Sequence, residues 1–225
     1  MIQTQDEANA RARELAAKYN LVETFKSSNP QEIAYLLWQT AKDPFDESDY
    51  EAVLEIVELS QYLDPNYFYS YIVGVADFYL DNYVEAVAFF EYGLELIVQK
   101  APLYESLDKE INLELILANL YRMLIQSNLE LRRVDESVAV WDATSTLFAS
   151  ESNPDFFIMV AQALAAVGRT KDAVVLLERA TVLAEKLKEI DLREDSLQDI
   201  AKLLQLIEEN PVEEVEEPVF PELSS

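Results

Sequence analysis

This sequence predicts an all-α chain of stacked helical hairpins, and three observations carry that prediction. Only 3 glycines and 8 prolines occur in 225 residues, and the prolines lie largely near segment ends. That leaves few tight β-turns and no glycine-rich phosphate loop. Apolar residues recur at helical spacing between capping signals. Finally, Tyr50, Val53, Val57 and Leu63 are answered by Tyr83, Ala86, Phe90 and Leu96, each 33 residues later. A fixed period of this size marks a stacked helical array.

The first element opens on Thr4-x-x-Glu7, a capping box in which each side chain can satisfy an orphan backbone N–H. A helix to about Tyr19 follows, its stripe of Ala8, Ala12, Leu15, Tyr19 and Val22 narrow enough for close approach by another helix. Residues 1–28 therefore read as an N-terminal capping helix, with a homodimer contact through that helix as the other reading. Asn29-Pro30 starts the next helix, an N-cap before a proline whose missing N–H costs nothing there. Its apolar positions Ile33, Leu36, Leu37 and Ala41 run to an expected end near Asp43-Pro44. After the acidic turn Asp46 to Asp49, the helix Tyr50 to Leu63 completes a hairpin.

Pro65-Asn66 starts the most aromatic helix of the chain, Leu80 to Asn82 breaks it, and an amphipathic helix to Val98 follows. Ala86 and Gly93 are the small residues expected where backbones approach, and Phe90 the bulky one expected to fill the gap to the next hairpin. Gln99 to Asp108 is a connector. A third hairpin pairs a long helix, Leu113 to Leu131, with one beginning at Val134, where Trp141 and Leu147 take the bulky positions. From Ala86 to Ser137 the spacing is 51 residues, so this unit carries extra length, read as a projecting feature. The fourth starts at Asn153-Pro154, places Ala161 at the small position and Gly168 at the turn, and repeats the second-helix spacing with Ala173, Leu177 and Ala180. It is expected to continue toward Glu189. The predicted organisation is a repeat array over 29–190, a C-terminal capping helix over 191–208 and a disordered acidic tail over 209–225. From Glu208 to Ser225 there are seven Glu, three Pro and no basic residue. That tail reads as solubilising, with a linear motif at Val219-Phe220-Pro221 or a plug for the protein's own groove as alternatives.

The segment Asn82-Tyr83-Val84-Glu85-Ala86 through Phe90, Gly93 and Leu96, the turn Leu63-Asp64-Pro65 and the Ala118-x2-Tyr121 pair resemble the tetratricopeptide repeat, a 34-residue helical hairpin. The resemblance covers roughly Pro30 to Ala184. It implies a right-handed superhelical α-solenoid that binds partners through a concave surface lined by the first helix of each hairpin. On that register the binding stripe is Phe68, Tyr71, Val75 and Phe78, continued by Leu115, Asn119 and Arg122 and then by Ile158 and Gln162. The alternative is that the Phe68 to Phe78 stripe is ordinary core. The family's carboxylate clamp requires Lys and Asn in the groove, whereas Tyr71, Val75, Ile158 and Gln162 stand there, so a clamp is not expected.

Composition narrows the function class. Lys and Arg total 17 against 43 Asp and Glu, a formal charge of −26, which disfavours nucleic acid and anionic lipid and favours an apolar or basic protein segment. With no Cys and no His, disulfides, thiolate metal sites and Ser-His or Cys-His catalysis are excluded. Asp46-Glu47-Ser48-Asp49 lacks the glycine and terminal glutamate of a calcium loop. No cofactor, metal or catalytic residue is expected. No apolar run approaches a membrane span, and the N-terminus lacks the apolar core of a signal peptide. The expectation is a cytoplasmic, non-enzymatic adaptor or scaffold. A chaperone resembling those that hold hydrophobic translocators in type III secretion, suggested by charge and by Tyr92-Gly93, and an acidic DNA mimic are the other readings.

Overall fold

The computed structural model describes residues 4–100, 102–103, 107 and 109–210. The acidic tail beyond Asn210, with its Val219-Phe220-Pro221 motif, lies outside the described residues. Among the described residues there is no β-strand, and no helix is long and apolar enough to cross a membrane. The chain divides into two compact units, Met1–Phe148 and Ala149–Ser225.

The first unit contains α1 (Gln5–Lys18), a short α2 (Val22–Ser27) and three successive hairpins: α3 (Pro30–Asp46) with α4 (Tyr50–Leu63), α5 (Tyr67–Tyr79) with α6 (Tyr83–Val98), and α7 (Leu113–Glu130) with α8 (Val134–Thr144). From α3 onward each helix packs on its neighbours in sequence, α6 packs on α7 between hairpins, and α1 packs on α2 and α4. The second unit contains α9 (Pro154–Ala166), α10 (Thr170–Ala184) and α11 (Ile190–Glu209), with α9 and α10 as the hairpin.

All four hairpins turn in the same way. Ser48, Asp81, Arg132 and Gly168 adopt left-handed backbone with φ between 60° and 83°. At each turn the following amide reaches back five residues, Asn82 N to Asp77 O at 2.9 Å and Arg169 N to Leu164 O at 2.8 Å among them. This is the Schellman closure of a helix C-terminus. Intervals of 33, 51 and 36 residues separate these turns, so the period read from side chains is also a period of backbone geometry. Only Gly168 occupies its turn without a Cβ penalty. Arg132→Gly is therefore expected to raise stability by about 0.5–1 kcal/mol, measured as a higher urea midpoint with an unchanged slope.

The caps form as the sequence implies. Thr4 Oγ1 accepts from Glu7 N at 3.2 Å while Thr4 N donates to Glu7 Oε2 at 3.0 Å. Asn29 caps Glu32 N at 2.9 Å. Buried Asn66 accepts from Phe68 N and Tyr69 N and donates to Asp64. In the first helix Ala8, Leu15 and Ala16 are buried, and α1 is tied to α4 through Lys18 to Glu55 at 2.7 Å and Arg11 to the Glu55 carbonyl at 3.2 Å. Of the stripe read from the sequence, Ala8 and Leu15 are buried within the chain, Ala12 and Tyr19 are half-buried and Val22 is exposed.

Several boundaries differ from expectation. Helix α3 continues through Pro44 to Asp46 because Phe45 is held edge-on by Trp38 and Tyr50, and a proline within three residues of a helix end removes one backbone bond only. Helix α10 stops at Ala184 short of Glu189, and the last helix runs Ile190–Glu209 against the expected 191–208, with buried Ser196 donating to Asp155 Oδ1 at 2.8 Å. Helix α8 yields to a 3-10 turn, Ser145–Phe148, so Phe148 rather than Leu147 stacks on Trp141 at 5.8 Å. Leu147 is exposed. Two described residues ahead of α7 are held in the first unit. Leu107 is fully buried, and Glu110 accepts from Tyr35 Oη at 2.6 Å and Lys42 Nζ at 2.9 Å on α3. Those two donors, Tyr35 first, hold the Glu110 carboxyl below the usual range.

Candidate functional site

Helix α5 is apolar on nearly every face because it lies between α4, α6 and α7. Phe68 and Val75 are therefore core residues, not groove residues: Phe68 meets Trp38 edge-on at 4.9 Å, and Val75 is buried. A helix surrounded by neighbours has little surface left to offer a partner. Tyr71 and Phe78 are half-buried and pack against this core.

Helices α5 and α7 are in contact. Tyr71 on α5 lies close enough to Asn119 and Arg122 on α7 for both to act on its phenol. Burial pushes that phenol up, against the pull of the Arg122 guanidinium and the Asn119 amide. Tyr79 and Tyr50 face the same phenol and stack on one another with centroids 4.6 Å apart and planes within 10°. The row continues edge-on from Tyr79 to Phe78 at 5.5 Å and from Phe78 to Tyr83 at 5.3 Å. Tyr79 is 56% exposed, and Leu115, on the Asn119 and Arg122 stripe of α7, is 57% exposed.

Tyr50 and Tyr79 were missing from the groove residues read from the sequence. Tyr79 was recoverable: it follows Tyr71 by eight residues and Val75 by four, which is helical same-face spacing. Tyr50 was not, because its stacking on Tyr79 joins α4 to α5 across separate hairpins.

Ile158 and Gln162 belong to the second unit. Ile158 is buried in the α9 core, so it too leaves the binding stripe. Gln162 is exposed and lines a cleft of about 340 Å³ with Ala165, Thr170, Leu203, Leu206 and Ile207. The terminal helix α11 forms one wall of that cleft. In the same unit the Arg179 guanidinium sits 4.1 Å from the centre of the Phe157 ring and donates to Ala149 O at 2.8 Å, which ties α10 to the start of the unit.

The site in the first unit thus consists of Tyr50, Tyr71, Phe78 and Tyr79 with Asn119, Arg122 and Leu115. It offers flat aromatic surface, an amide and a cation in an otherwise acidic chain. It contains no nucleophile and base at hydrogen-bonding distance of the kind acyl or phosphoryl transfer needs. Among the described residues no three or more His, Cys, Asp or Glu side chains group in a way that suits a metal ion. The acidic turn is a cap, with Asp49 accepting from Ala52 N at 3.1 Å. No protein-family model and no curated protein matches the chain.

Proposed function

We propose that this protein is a non-enzymatic adaptor or assembly scaffold that docks an apolar or basic segment of a partner protein on the α5 and α7 face of its first unit. The observation that carries the reading is the Tyr50, Tyr71 and Tyr79 cluster meeting Asn119 and Arg122. Stacked tyrosines provide rigid amphipathic area at low entropic cost, and an amide beside them suits the polar groups of a peptide backbone. In this reading the hairpins continue as a right-handed superhelix of the tetratricopeptide type, for which the repeated left-handed turns are the support. The setting is the cytoplasm.

Site-specific photocrosslinking tests it. A benzoylphenylalanine at Tyr79 or Leu115 is expected to capture a discrete partner in cells, while one at exposed Val182 in the second unit captures none. Tyr79→Ala combined with Leu115→Ala is expected to weaken binding of the captured partner at least tenfold, measured by titrating the purified partner, because two central anchors of an interface together carry on the order of 2 kcal/mol. Both positions are exposed, so the melting temperature is expected to fall by only a few degrees, through loss of the Tyr50–Tyr79 stack. Equal capture from Val182 and Tyr79 would refute the reading.

A further inference from the structure

A second surface, on α4 and α6, has a different chemistry. A cleft of about 450 Å³ lies between these helices, walled by Tyr62, Phe89 and Tyr92 and bordered by Glu58. That volume is within the range of small-ligand pockets. Gln61 also lines it. This side chain is only 7% exposed; its Nε2 donates to Ser70 Oγ at 2.9 Å, while its Oε1 accepts from no group among the described residues. A buried acceptor left without a donor is costly, and an N–H that reaches Oε1 from the cleft would relieve that cost.

Glu58 on α4 and Glu85 on α6 both act on the buried carboxylate of Asp77 on α5. The cleft therefore combines aromatic walls, a bordering carboxylate and an orphaned acceptor. We infer that it receives one arginine side chain of a partner polypeptide, with the stem between Tyr62 and Tyr92, one edge of the guanidinium on Glu58 and a further N–H toward Gln61. Arginine fits because its planar head stacks on rings while presenting several donors in a fixed fork. An apolar side chain leaves Gln61 unsatisfied, and an acidic one meets Glu58.

This inference uses none of the α5 and α7 residues invoked above and stands or falls separately. The probe is Nα-acetyl-arginine methylamide, titrated into isotopically labelled full-length protein in about 150 mM salt to screen diffuse attraction to the acidic surface. Saturable NMR shifts are expected at the Gln61 side-chain amide, Phe89 and Tyr92, with a dissociation constant on the order of 1 mM, as suits a single side chain. Nα-acetyl-norleucine methylamide, which keeps the stem and lacks the charge, is expected to bind at least tenfold more weakly. Glu58→Gln is expected to weaken the arginine probe about tenfold, and Tyr92→Ala, at an exposed position that leaves the fold intact, about threefold or more. Shifts scattered over the acidic surface, equal binding of the norleucine probe, or no effect of Glu58→Gln in a well-dispersed spectrum would each overturn the inference.

Discussion

Gly74→Ala is expected to destabilise the first unit by roughly 2 kcal/mol, although the same change at an open helical position stabilises by up to about 1 kcal/mol. A Cβ built on Gly74 lies 2.5 Å from Phe90 Cε1 and 2.7 Å from Cδ1. Phe90 is fully buried between α5 and its partner helix, so its ring has nowhere to go without displacing other core side chains. Urea denaturation is expected to show a lower midpoint with an unchanged slope. Phe90→Leu alone costs about 1–2 kcal/mol through the cavity it leaves, and the double variant is expected to cost less than the two singles together, because leucine yields the space that alanine takes. Wild-type stability for Gly74→Ala would show that α5 and α6 can separate at no cost, and that the close packing of this hairpin does not hold the unit.

Asp77→Asn is expected to stabilise the protein by about 1–2 kcal/mol at pH 7.5 and by about half as much at pH 5. The Asp77 carboxyl is raised from 3.8 to about 6, chiefly by burial, opposed by the hydrogen bond from Asn82 and reinforced by Glu58 and Glu85. A raised carboxyl binds its proton more tightly in the folded state than in the unfolded one. Stability attributable to this group therefore falls as pH rises from about 4 to about 6, and is flat above that. Asparagine keeps an oxygen for the 3.3 Å bond from Asn82 Nδ2 and removes the charge. Urea titrations of both proteins at the two pH values check it. The difference between them isolates Asp77 from the general self-repulsion of an acidic chain, and a pH-independent difference would mean that burial of this charge is not the cause.

How much was readable from the chain depends on the range of the interaction. Capping residues Thr4, Asn29 and Asn66 act within three positions, so their geometry follows from local sequence. The hairpin period was legible because equivalent turns need equivalent small and bulky residues. The role of Phe90 was not: expected between hairpins, it closes instead over Gly74 inside its own. It is Gly93 that faces the next hairpin, with its built Cβ 3.2 Å from Leu120 Cδ2 on α7 and 3.3 Å from Ser70 Cβ on α5. The candidate site was legible in part. Asn119 and Arg122 come close enough to act on Tyr71, while Phe68, Val75 and Ile158 carry the same helical spacing and are core. Periodicity gives the face of a helix but not how many neighbours cover it.

By itself, the sequence determined the helical class, the caps, the turn positions and the exclusion of histidine and cysteine chemistry, all of which depend on residue identity or on contacts within one or two helical turns. Only the tertiary structure decided which apolar stripes are buried, that Glu110 is held by Tyr35 and Lys42 of α3, and that Tyr50 stacks on Tyr79 beside Tyr71 while the buried Gln61 acceptor beneath another surface is unmatched among the described residues. Those outcomes depend on the distance between residues far apart in the chain. Helix-to-helix packing sets that distance, and no spacing along one helix encodes it.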